Sequence, residues 1–180
     1  MAKSETARQK LLPLLATHIL ENGMRAASLR PLAKAAGTSD RMLIYHFGNK
    51  QQLISDILAH IADSYSRQLD ASFGADQVAS REQAIARVLD FTNSDKMRPF
   101  LALWWEIVAG AARDIPGYKE NAQSIMVSLL AWFEEQMPEG DPDPAGGART
   151  LLTMIEGAEM FKAIGLPDIP NRGIEAARPL

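Results

Sequence analysis

Apolar residues recur along this chain at intervals of three and four, and no convincing stretch alternates with period two. That spacing predicts helices almost throughout. The first covers about residues 4–22 and stops at Gly23. Pro13 lies inside it and, lacking a backbone donor, is expected to bend or break it. The second is short. Ser28 caps it, Pro31 occupies its first turn, and Ala36-Gly37 ends it, with Leu29, Leu32, Ala33 and Ala36 on one face. The third starts from Thr38-Ser39 and ends near His46, with Leu43 and Phe47 on its inner side. Gly48 and Asn49 close this unit. Asn49 with Gln52 then predicts a capping box for a long fourth helix, whose stripe of Leu53, Ile54, Ile57, Leu58 and Ile61 reaches to about Ala71.

The remaining pattern predicts a loop over 72–79 and a fifth helix from the Ser80/Gln83 capping box to about Phe91. A strongly apolar helix over 96–113 should bend near Pro99 or Gly110. Pro116-Gly117 precedes a long helix ending at Met137, residues 138–147 read as loop, and a last long helix covers about 148–164. The tail, 165–180, holds three prolines and is expected to form no more than a short helical turn. The expectation is an all-α fold of about nine helices. Residues 1–48 would form a three-helix domain with a helix-turn-helix, and residues 49–180 a larger helical body.

Composition narrows the chemistry. The chain of 180 residues has 47% hydrophobic and 23% charged residues, ordinary for a folded protein, and no cysteine. Disulfides, thiolate metal sites and a cysteine nucleophile are therefore excluded. His18 and His60 have no second ligand at metal spacing beyond Asp56, four residues before His60, so no metal site is expected. No Gly-rich phosphate loop, nucleophile elbow or triad pattern appears, so neither an enzyme nor a cofactor is expected. The charged start resembles no secretory signal, and the apolar stretch 100–112 is broken by Glu106 and too short for a bilayer. A cytoplasmic protein without membrane association is expected.

The net charge of −3 conceals an asymmetry. Residues 1–50 hold eight basic and three acidic side chains, a net +5, which leaves −8 on the rest. A basic head on an acidic body suggests that the head meets a polyanion. The segment 28–50 supplies the means. Small Ala33 lets two helices approach, Gly37 permits a left-handed turn, and Ser39 caps the next helix with its N-terminus pointing outward. Such a unit places its second helix in a DNA major groove while the first crosses the backbone. Asp40, Arg41 and Tyr45, with Met42 and Ile44, would lie on the outer side. Arg41 could read guanine with a bidentate fork or bind a phosphate. Lys50, at the start of the fourth helix, suits a phosphate.

The stretch Ala33-Lys34-Ala35-Ala36-Gly37-Thr38-Ser39, followed by Leu43-Ile44-Tyr45-His46-Phe47-Gly48-Asn49-Lys50, resembles the DNA-binding domain of the TetR (tetracycline-repressor-like) family. His46, Phe47 and Lys50 stand where that family's closing pattern has them. Ile44 stands where a tyrosine is usual, and Arg41 and Met42 replace a small residue and a frequent threonine. The resemblance covers about the first 60 residues well. It implies a homodimer on a palindromic double-stranded DNA operator, with Ser28, Arg30, Ser39, Asp40, Arg41, Met42, Tyr45, His46 and Lys50 at the interface. His46 would touch the DNA backbone or close the helix end. It further implies repression relieved by a small-molecule effector that swings the fourth helix and separates the heads.

In the body, Phe100, Trp104, Trp105, Met126, Phe133, Met154 and Phe161 would line an effector cavity or simply fill the core. Glu106 in its apolar helix needs a partner, either an arginine such as Arg113 or Arg149, or a cationic or hydroxylated ligand. The alternatives to an effector-released repressor are a regulator that responds to no ligand and a helical ligand-binding protein without DNA function.

Overall fold

The computed structural model describes residues 2–74 and 78–176 of the chain, and among them nine α-helices and no strand. They are α1 (Ala2–Asn22), α2 (Leu29–Ala35), α3 (Asp40–Phe47), α4 (Lys50–Phe73), α5 (Arg81–Thr92), α6 (Arg98–Ala111), α7 (Tyr118–Glu135), α8 (Pro144–Ala163) and α9 (Asp168–Ala176). One turn of 3-10 helix, Met24–Ala26, joins α1 to α2. The described helices form two compact units. Of the described residues, the first contains 2–68 and 95–126, the second 69–74, 78–94 and 127–176.

In the first unit the stripe foreseen on α4 is buried at Leu53, Ile57, Leu58 and Ile61. It joins Leu15 and Ile19 of α1, Leu32 of α2, Leu43 and Phe47 of α3, and Leu103, Trp104 and Ile107 of α6 in one core. Pro13 does not break α1, which runs unbroken through it. Pro13 is exposed, so the carbonyl left without its donor faces water and the buried face is untouched.

In the second unit Phe133 of α7 is fully buried among Ala84, Ile85 and Val88 of α5 and Ala148, Leu151 and Ile155 of α8. The last two helices differ from expectation. Helix α8 begins at Pro144, because Asp143 accepts the Gly146 N–H at 2.9 Å and Pro144 occupies the first turn. Gly147 belongs to this turn rather than a loop. A Cβ there would stand 2.8 Å from the guanidinium of Arg81, which binds both carboxylate oxygens of Asp141 at 2.7 and 2.5 Å and the Asp143 carbonyl at 2.9 Å. The tail forms the nine-residue α9, which packs on α8 and sets Ile174 against the second core. Its prolines do not prevent this. Pro167 precedes the helix, Pro170 falls in the first turn, where no donor is required, and Pro179 lies outside the described residues.

Glu159 of α8 is 7% exposed yet satisfied: it accepts from Thr92 Oγ1 at 2.7 Å and from Lys162 Nζ at 2.8 Å. Among the described residues no helix is long and apolar enough to cross a membrane, and no group of three metal-ligating side chains forms.

Candidate nucleic-acid interface

Helix α3 has eight residues, too few to persist alone. Three features hold it. Ser39 Oγ accepts the Met42 N–H at 3.3 Å. Gly37, at φ 63°, makes the turn from α2, and the Thr38 N–H reaches the Ala33 carbonyl at 2.9 Å. Leu43 and Phe47 are 0% and 2% exposed. Burying two such side chains contributes roughly 3–6 kcal/mol, so this anchoring outweighs the cap. Ser28 occupies the N-cap of α2 in extended conformation, but its side chain makes no capping bond.

With its inner face fixed, α3 presents Asp40, Arg41, Met42 and Tyr45 to solvent, Tyr45 with 73% of its surface exposed. Ile44 and His46 are half-buried, and the His46 ring meets Tyr45 edge-on at 5.1 Å. Ser39, Arg30 and Lys50 are exposed and Ser28 is half-buried. Arg30 and Lys34 also line an open concavity of about 830 Å³ with Thr38 and Asp40. Asn49 Oδ1 accepts the Gln52 N–H at 2.8 Å, so Lys50 stands in the first turn of α4 beside further outward N–H groups. The predicted box is half made: Gln52 turns its amide to Asp56 at 2.7 Å instead of back to Asn49.

Arg8, which no sequence signal singled out, braces the head. Its guanidinium pairs with Asp56 of α4 and lies 5.2 Å above the Phe47 ring. Asp56 is thus engaged by Arg8 and Gln52 rather than forming half a metal site with His60. An arginine on the first helix looks the same in the sequence whether it braces a neighbour or merely meets solvent.

The residues expected around an effector fall into both units. Phe100, Trp104, Trp105, Glu106 and Met126 belong to the first, and Phe133, Met154 and Phe161 to the second. Trp104 and Phe133 are buried in their respective cores, and Phe100 packs on Tyr65 with ring centroids 4.6 Å apart. Met154 borders a small cavity of about 200 Å³ between α5, α8 and α9. Glu106 is exposed, and pairs with neither Arg113 nor Arg149 among the described residues. Its carboxylate accepts the Met24 N–H at 2.8 Å. A solvated carboxylate needs no counter-charge, which is why the expected arginine is absent. Beside it, a groove of about 460 Å³ is bordered by Met24, Arg25, Lys50, Ile115 and Tyr118.

Residues 16–57, which include the whole helix-turn-helix, match the family model described as bacterial regulatory proteins, tetR family. The chain is 35% identical over 81 residues to the HTH-type transcriptional repressor KstR2 of Rhodococcus jostii, an alignment of 43% of this chain and 39% of that protein. It is 26% identical over 168 residues to the HTH-type transcriptional regulator BetI of Serratia proteamaculans, covering 87% of this chain and 81% of BetI. A solved structure from Rhodococcus sp., described as a TetR-family transcriptional regulator, superposes with a TM-score of 0.73 over 99% of this chain and 100% of that one, at 19% identity. Residues 16–57 are thus similar to the helix-turn-helix of the tetR family of bacterial regulatory proteins, and the all-helical fold as a whole is shared with the solved Rhodococcus structure.

Proposed function

We propose that the chain is a transcriptional repressor that binds a palindromic DNA operator as a two-fold dimer and leaves it on binding a small-molecule effector. The observation that carries the DNA-binding part is the outer face of α3. A short helix spends its two large apolar side chains on the core and leaves an arginine and a largely exposed tyrosine in solvent. A tyrosine so exposed has no folding purpose there, and an arginine on the same face suits base edges or phosphates.

Arg41, Tyr45, Met42 and Asp40 would enter the major groove. Ser28, Arg30, Ser39, His46 and Lys50 would hold the flanking backbone. Residues 1–48 act as the DNA-binding domain and the rest as the dimerising, effector-binding body. Helices α7 to α9 and the adjoining turn leave Val127, Met160, Ile164, Leu166 and Ile169 between 43% and 67% exposed, and a second copy would cover them. Of the effector contacts expected from the sequence, Phe100, Trp104, Trp105, Glu106 and Met126 lie together in the first unit, and they are the ones proposed to meet an apolar ligand carrying one donor or cationic group. No catalytic role is proposed, and the proposed setting is the cytoplasm, where the operator is.

Selection of bound duplexes from a random DNA pool tests this. A palindromic consensus with half-sites about one helical turn apart is expected. Enrichment of no sequence, with binding that stays weak at low salt, would rule the proposal out.

A further inference from the structure

Glu106 is a carboxylate in the otherwise apolar middle of α6, and the operator-binding surface makes no use of it. Its position is specific. The side chain crosses from α6 to the turn between α1 and α2, where Oε2 accepts the Met24 N–H at 2.8 Å from 82 residues away in sequence. Met24 opens the 3-10 turn that leads into α2, and its N–H is one of the donors such a turn leaves unpaired. Glu106 thus caps this turn from another helix.

The turn is shaped to receive it. Gly23 has φ 70°, and a Cβ on it would lie 2.4 Å from Glu106 Oε1. Glycine is required there twice, by the backbone and by the carboxylate above it. One turn further along the same face of α6, Gly110 lies under the Tyr118 ring, where a Cβ would stand 2.0 Å from the ring. Burial raises the Tyr118 phenol above its usual range, and the nearby Glu106 charge adds to this. This phenol therefore stays neutral beside the Glu106 carboxylate.

We propose that Glu106 is a positioning residue that latches the α1–α2 turn to α6, so that a shift of α6 reaches the helix-turn-helix directly at Met24 as well as along α4. Beside the apolar core it shares with α4 and α6, the head has two further ties within the first unit. One is the covalent passage into α4, which Arg8 and Asp56 reinforce. The other is a single charge-assisted hydrogen bond, short and directional, that a shift of α6 by about an ångström or two breaks. This gives the operator surface a route of regulation, and it rests on the operator-binding proposal above.

The test uses the full-length chain and three variants. In Glu106→Ala the Met24 amide is expected to exchange with solvent at least about tenfold faster, while the Leu32 and Leu43 amides keep their rates. Affinity for the selected duplex is expected to fall about tenfold, with the melting temperature unchanged. Glu106→Gln keeps an acceptor and should recover part of both. Gly23→Ala should weaken DNA binding more in the wild-type background than beside Glu106→Ala, where the clash is gone. Unchanged Met24 exchange in Glu106→Ala, or unchanged DNA affinity, overturns the proposal. So does a loss that tracks the melting temperature and is not recovered by Gln. A wild-type chain that selects no duplex would sink the operator reading and with it the role of the latch, whereas the exchange rate judges the latch geometry without DNA.

Discussion

Side chains on the outer face of α3 divide into those that position the head and those that discriminate sequence, and the two kinds fail differently. Arg41 is exposed and makes no ion pair among the described residues. If it forks onto a guanine, Arg41→Ala should cost about 1–3 kcal/mol and relax preference at one base pair per half-site. If it binds a phosphate, the loss should be equal for all sequences, and binding to a panel of single-base operator variants separates the two. Lys50→Ala is expected to weaken every duplex and to reduce the slope of log affinity against log salt by about one for each phosphate that Lys50 neutralises. An unaltered slope would remove Lys50 from the groups that hold the DNA backbone. In the second unit, Asp141 is held at about 2 by its hydrogen bonds to Arg81, then by the Asp143 N–H. Its ordinary value is 3.8, so the unfolded chain takes up the proton first as pH falls. The stabilisation is therefore complete above about pH 4 and disappears as pH drops through about 2. The stability gap between wild type and Asp141→Asn should narrow over that range in acid titrations of melting temperature, and a gap that is constant with pH would contradict it.

At the scale of elements, α3 is too short to persist by itself and is well provided with local devices. Ser39→Ala removes the acceptor for the Met42 N–H and should cost about 1 kcal/mol, seen as a lower denaturant midpoint without a change in slope. Gly37→Ala should cost about 1–2 kcal/mol although its Cβ would meet nothing within 4 Å, because the penalty lies in φ 63° and not in space. The pair separates two reasons for a local residue choice: a hydrogen bond that alanine cannot make, and a backbone angle that it resists. A larger loss from Ser39→Ala than from Gly37→Ala would reverse that ranking. Helix α8 shows the same economy from another direction. Its two early glycines would be a liability in an isolated helix, and Gly147 is tolerated because the Arg81 guanidinium occupies the place of its side chain.

At the scale of the molecule, each unit buries its own core, and what remains unburied is informative. Ile164 is 63% exposed at the end of α8 and Val127 is 67% exposed on α7. A charge at such a site costs a monomer almost nothing but is expensive in a dry interface. Sedimentation at micromolar concentration should show a dimer for the wild type and a monomer for Ile164→Glu, with unchanged helix content. A monomeric wild type would end the dimer proposal, and with it the two-headed reading of a palindrome. The charge asymmetry belongs to this scale too. The basic excess of the first 50 residues steers the head toward a polyanion, while the acidic remainder is repelled by it, so association should slow steeply with added salt.

Local chemistry was sufficient for most of the helices. Periodic apolar positions, the Ser39, Asn49 and Ser80 caps and the Gly37 turn are interactions between near neighbours in sequence, and these were legible in it, as was the outward face of α3 once Leu43 and Phe47 were set inward. What the tertiary structure decided lies in contacts between residues far apart in the chain. Arg81, some 60 residues away, clasps Asp141 and the Asp143 carbonyl beside the start of α8, whose Asp143 cap and Pro144 are local signals, and α9 packs its proline-bearing segment on α8. Asp56 went to Arg8, 48 residues away, rather than to nearby His60. Glu106 found a backbone amide on the α1–α2 turn where the sequence suggested an arginine or a ligand. A periodic pattern states which side of a helix is buried, because burial is set by the apolar stripe of that helix. It does not state which distant polar group completes a hydrogen bond, because that depends on where folding brings a second segment.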